Sequence, residues 1–137
     1  MCEMPSCYGV EDRKARIAHT CYECKGSIKP GETYHYHHGV WDGVGDSFKV
    51  CVDCEALRVT CDDGREYDEK TPFGGLYESV MESNDLTFIN RLIEIKTRRG
   101  AAIPVQMADR VSRIVERDKR CAEFAKRVLE IHSEQSR

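Results

Sequence analysis

The 137-residue sequence contains no apolar run approaching the roughly eighteen residues that a membrane-spanning helix needs, and MCEMPSCYGV has none of the apolar character of a secretory leader. An intracellular, reducing and thiol-permissive compartment is the expectation, with no membrane partner. Core formers are scarce as well: Leu, Ile, Val and Phe make up about one fifth of the chain, the lean end of what apolar burial alone can fold. Glycine-rich phosphate loops, H-E-x-x-H and Ser-His-Asp patterns are missing, so nucleotide cradling, zinc-protease and serine-hydrolase chemistry have no carrier. Repeats and low-complexity tracts are absent too, which sets solenoids aside.

Cysteine and charge are what the chain has instead. Eight cysteines are too few for a disulfide scaffold, and all but Cys121 fall within the first 61 residues. The formal charge of −3 conceals two compositional halves, −8 over residues 1–95 and +5 over residues 96–137. The composition changes between Gly64 and Pro72, which predicts a module over residues 1–63 and an extension over residues 64–137.

Cys21-Tyr22-Glu23-Cys24 and Cys51-Val52-Asp53-Cys54 are two C-x-x-C pairs. Each presents two thiolates to one ion, and two pairs complete the tetrahedron that Zn²⁺ accepts, with Zn–S near about 2.3 Å. Their separation exceeds the usual spacing because a hairpin fills it: Pro30-Gly31 turns, Glu32 to His37 alternates, Asp42-Gly43 turns again, and Ser47 to Val50 returns to Cys51. Gly26 is expected to supply the positive φ that aims backbone N–H groups at sulfur. The second pair opens a short helix at Glu55-Ala56-Leu57-Arg58, whose positive end offsets part of the −2 left by one Zn²⁺ and four thiolates. A thioredoxin-like role would need one pair at a helix start within an α/β pattern, which is not present. The fold class that follows is α+β: a small treble-clef zinc module, hairpin plus short helix, followed by an α-helical C-terminal extension.

The run Ala15-Arg16, His19-Thr20-Cys21-Tyr22-Glu23-Cys24, Ile28, Pro30-Gly31-Glu32, Tyr34, Gly39, Trp41-Asp42-Gly43, Phe48, Cys51, Cys54 and Phe73 to Glu78 resembles small zinc-binding proteins common in phages and prophages, whose fold is similar to treble-clef fingers of the LIM or PARP kind. The resemblance covers about residues 1–82. It implies a second metal set from Cys2, Cys7 and Cys61, for which Asp62, Asp63 or His19 would supply the fourth ligand. It names no substrate.

His35, His37 and His38 beside Asp42 and Asp46 invite comparison with His-Asn-His nucleases, but the helix Asp53 to Val59 carries no second histidine or asparagine for a catalytic metal. Alternation places His35 and His37 together on one face, expected to be solvated or partner-facing. Trp41 at the hairpin tip is expected to pack on the module's core.

Beyond Cys61 an acidic loop holds Asp62, Asp63, Glu66, Asp68 and Glu69, a solvated run or a partner-facing surface. Phe73, Leu76, Tyr77 and Val80, then Phe88, Leu92, Ile93 and Ile95 after a cap at Asn84 or Asp85, predict two short helices, the second stopping at Arg98-Arg99-Gly100. Pro104 opens a longer helix to about Ser133 with a narrow stripe of Ala108, Val111, Val115, Ala122, Ala125 and Leu129, suited to packing within the chain or to a homodimer. Arg110, Arg113, Arg117 and Arg120 line the opposite face. The functional expectation is a phage-encoded, non-enzymatic zinc-binding accessory protein that binds and inhibits a host protein complex, for example a defence system of the anti-CRISPR kind. The alternatives are a nucleic-acid-binding regulator, through the arginine row, and a zinc-scaffolded nuclease.

Overall fold

A computed structural model describes residues 7–66 and 69–135. Strands β1 (Cys7–Lys14), β4 (Thr33–Trp41) and β5 (Val44–Cys51) form an antiparallel sheet in the order β1-β4-β5, and β2 (His19–Thr20) pairs with β3 (Ser27–Ile28). Helices α1 (Val52–Asp62), α2 (Leu76–Ser83), α3 (Leu86–Arg98) and α4 (Val105–Gln135) follow. The mixed α and β architecture, with its knuckle, hairpin and helix around clustered cysteines and a long C-terminal helix, is the predicted one.

Local chemistry explains most boundaries. Asp42 and Gly43 both take positive φ, 51° and 76°, the two-residue turn whose twist matches the strands it joins. Asp85 accepts Thr87 N–H at 2.9 Å as the N-cap of α3, whereas Asn84, the other predicted cap, closes α2 in the left-handed conformation. Gly100, at φ 72°, ends α3 while Ala101 N–H returns to the Lys96 carbonyl.

Strand β1 was not expected from the sequence. It pairs with β4 over all eight residues, from Cys7 opposite Val40 to Lys14 opposite Thr33. The two strands approach closely at Gly39, where an added Cβ would lie 2.5 Å from the Cys7 carbonyl oxygen and 2.9 Å from the Trp41 ring. Gly39→Ala should therefore destabilise the sheet by about 1–3 kcal/mol through overpacking. A lowered urea midpoint with a shifted emission from Trp41, the sole tryptophan, checks this.

The chain divides into two compact units at Ile103/Pro104, and not between residues 63 and 64 as its composition suggests. The physical reason is a set of bonds tying the acidic loop to the cysteine module. Asp62 accepts both the N–H and the hydroxyl of Thr71, at 3.0 and 2.7 Å, and Arg58 donates to the Thr71 carbonyl at 2.6 Å. Helices α1, α2 and α3 pack mutually, burying Leu57, Leu76, Val80, Ile89, Leu92 and Ile95 beside Ile28 and Val50 from the strands. The second unit is α4. In the predicted stripe only Val111 is half-buried; Ala108, Val115, Ala122, Ala125 and Leu129 are exposed, and the buried positions are Met107 and Ile114, seven residues apart. No described helix is long and apolar enough to cross a membrane.

Candidate metal centre

Strand β2, the turn after it and β3 build the first knuckle. Cys21 N–H donates to the Gly26 carbonyl at 2.8 Å and Lys25 N–H to the Cys21 carbonyl at 3.0 Å, folding the chain around the two sulfurs. The left-handed residue is Lys25, at φ 64°, and not Gly26 as expected. Gly26 is required for space instead, since its Cβ would fall 2.4 Å from the Arg99 Cβ. Its N–H does point at sulfur, donating to Cys24 Sγ at 3.3 Å.

The returning strand β5 delivers the second pair. Tyr22 N–H bonds the Lys49 carbonyl at 2.8 Å, which docks the knuckle on β5 just before Cys51. Cys51 is the N-cap of α1: its Sγ accepts Cys54 N–H at 3.4 Å while its own N–H donates to Cys21 Sγ at 3.3 Å. Cys21, Cys24, Cys51 and Cys54 are all buried, with sulfurs within 4.8 Å of one another. Three backbone N–H groups aimed at these sulfurs stabilise thiolate over thiol, so the donor chemistry fits a thiophilic divalent ion. Hydrogen bonds among the four sulfurs hold the Cys51 and Cys54 thiols above their ordinary range and the Cys21 and Cys24 thiols below it. Metal binding, which takes all four as thiolates, would release the protons that remain.

For the second metal set, Cys2 lies outside the described residues. Cys7 is exposed on β1, and Cys61 is buried in α1, where burial pushes its thiol up. Among the described residues, the four-cysteine group is the one cluster of three or more metal-capable side chains. His19 sits half-buried in β2 with its Nδ1 3.3 Å from Lys49 Nζ and its ring against Tyr34. Of the acidic residues, Asp62 is a structural acceptor, Asp63, Glu66 and Glu69 are exposed, and Asp68 lies outside the described residues.

His37 overturns the expectation of a solvated face. It is 3% exposed, hydrogen-bonded through Nδ1 to the Tyr8 hydroxyl and through Nε2 to Glu55 at 3.0 Å. Burial alone would raise the Glu55 carboxyl, but the His37 hydrogen bond and the nearby positive charges hold it below the usual range. Both ring nitrogens of His37 are thus engaged. His35 pairs with Asp12 at 2.9 Å, and His38 lies 3.7 Å from Glu11.

Around His37 a continuous series of rings covers the sheet. Phe48 and Phe73 stack at 4.6 Å; Tyr22 meets Phe48 at 4.7 Å, Trp41 meets Phe48 at 5.7 Å, and Tyr8 meets Trp41 at 6.4 Å. Trp41 is half-buried, as expected of a residue packing on the module, yet Tyr8 remains 48% and Tyr22 39% exposed. Sequence reasoning had no hint of this patch, because Tyr8 and Phe73 lie on segments far from the hairpin. In the arginine row, Arg113, Arg117 and Arg120 are exposed and Arg110 half-buried; Arg117 pairs with Asp118 at 3.2 Å and Arg120 with Glu116 at 3.6 Å. No protein-family model, curated protein or solved structure matches this chain.

Proposed function

We propose that this chain is a zinc-binding protein without catalytic activity, of the phage-encoded treble-clef kind its sequence resembles, which acts in a bacterial cytoplasm by engaging and inhibiting a host protein complex. The buried four-cysteine cluster carries the reading. Four thiolates fill a tetrahedral ion's coordination sphere, the pattern of structural zinc, whereas catalytic zinc keeps one position for water or substrate. The zinc then serves as a staple for a chain poor in core residues.

Engagement of a partner is supported by the ring series Tyr8, Tyr22, Trp41, Phe48 and Phe73. Half-exposed Tyr and Trp side chains offer large, stiff, amphipathic area, the usual anchors of protein interfaces. Affinity capture from a bacterial host lysate should retain one stoichiometric protein on the wild type. The double variant Tyr8→Ser/Trp41→Ala should lose it, by about thirtyfold in affinity for ~2 kcal/mol of anchor energy, while its zinc content stays the same. Capture of no stoichiometric partner, or equal capture by the variant, would sink this reading of the surface.

A further inference from the structure

Lys96 is a buried ammonium without a carboxylate. It lies near the end of α3, 6% exposed, and donates to the neutral Cys24 carbonyl at 3.0 Å. Among the described residues no acidic group forms an ion pair with it. An ammonium withdrawn from water is costly unless opposite charge lies nearby. The backbone it holds belongs to a metal-ligating residue.

The neighbouring Arg99 is balanced differently. Its guanidinium reaches Asp53 Oδ2 at 2.9 Å, Glu32 Oε2 at 2.9 Å and the Ser27 carbonyl at 3.0 Å, and its own carbonyl accepts Ser27 N–H at 2.9 Å. Two carboxylates satisfy that cation, which leaves it the task of gripping the knuckle. Together Lys96 and Arg99 bind the first knuckle at three backbone groups, Cys24 C=O, Ser27 N–H and Ser27 C=O. Of the two cations, Lys96 is the one without a carboxylate partner. A divalent ion on four thiolates is a −2 centre, the missing anion.

We propose that Lys96 is the counter-charge of the metal–thiolate centre, and that this charge slows the loss of the metal. The inference rests on the zinc reading above. Outer groups of this kind set metal affinity by about 10–100-fold when removed. Charge and hydrogen bonding are separable at this position. Lys96→Gln keeps an N–H donor and loses the charge, while Lys96→Arg keeps the charge.

The test follows zinc transfer from the full-length, zinc-loaded protein to a chromogenic chelator, with circular dichroism confirming the fold of each variant. Lys96→Gln should release zinc about 10–100 times faster than the wild type, and Lys96→Arg at close to the wild-type rate. A Lys96→Gln chain that fails to fold while Lys96→Arg folds and loads zinc also supports a requirement for charge. Equal release from Lys96→Gln and the wild type, or equal lability of Gln and Arg variants, overturns the proposal while leaving the zinc site intact. A wild type that holds no zinc defeats the zinc reading itself.

Discussion

Cys51→Ser is expected to release the metal and unfold the unit that ends at Ile103. Serine is the informative replacement because Cys51 has two roles: it ligates, and its side chain caps α1 by accepting Cys54 N–H. Serine is among the best N-caps, so the capping role survives the substitution and the ligand role does not. Binding of structural zinc is worth on the order of 10–16 kcal/mol, comparable to or larger than the whole stability of a typical domain, and this chain is lean in apolar residues. Metal analysis should find one zinc per wild-type chain and none on Cys51→Ser, with near-ultraviolet dichroism lost from the variant and from chelator-treated wild type. A folded Cys51→Ser chain, or a folded wild type without metal, would refute the staple. Acid should act in the same direction. Metal binding requires all four sulfurs as thiolates, so its stabilisation is complete at high pH and is lost as falling pH lets protons displace the ion.

Much of this centre can be read from cysteine spacing, because the ligands lie close in sequence within each pair and the hairpin between the pairs has its own local code. Asp42-Gly43 specifies a turn at two adjacent residues, and Asp85 and Gly100 specify helix ends within one turn. Alternation is a weaker guide. It states which residues share a face of a strand, as His35 and His37 do, but not which face is covered. Here the cover comes from Tyr8 on β1, Phe73 ahead of α2 and Glu55 on α1. Strand β1 itself escaped notice because its residues Glu11-Asp12-Arg13-Lys14 are those of an exposed edge strand, and charge at such an edge erases the hydrophobic period.

The unit boundary failed for a related reason. Composition changes near residue 64 because the loop there is solvated, yet solvation of side chains does not loosen backbone. Thr71, Pro72, Gly74 and Leu76 are each tied to the module by hydrogen bonds from or to its side chains. In α4 the stripe is displaced by a fraction of a turn: Met107 and Ile114 are buried where Ala108 and Val115 were expected. A helix carrying apolar residues on adjoining rows offers periodicity no single stripe to pick out.

Loss of Glu23 should be the most damaging change outside the metal ligands. Its side chain is 0% exposed and lies between two cysteines, at a position in the knuckle where no sequence rule demands a charge. Oε1 accepts Arg58 at 2.7 Å and Gly74 N–H at 2.6 Å; Oε2 accepts Leu76 N–H at 2.9 Å. Helix α2 has no capping side chain of its own, so this carboxylate, 53 residues upstream, serves as its cap and complements its dipole. Arg58 is bound in turn to the Thr71 and Pro72 carbonyls and lies 4.6 Å over Phe73, while its Nε has no partner. Without Glu23 that guanidinium loses its hydrogen-bonded counter-ion and keeps only the more distant Glu55 carboxylate, so Glu23→Gln and Arg58→Met should each cost about 3–5 kcal/mol. The double variant should cost less than the two together, by at least about 1 kcal/mol, because each single change strands the other partner. It should not return to wild-type stability, since the Gly74 and Leu76 N–H groups lose an acceptor worth about 1–3 kcal/mol when buried. Urea unfolding of the zinc-loaded proteins measures all three terms, and a Glu23→Gln cost within 1 kcal/mol of zero would break the argument. Zinc content should stay at one throughout, because all four thiolates remain. The carboxylate's contribution is then the docking of α2 onto the knuckle, which turns a small metal finger into a unit that extends to Ile103.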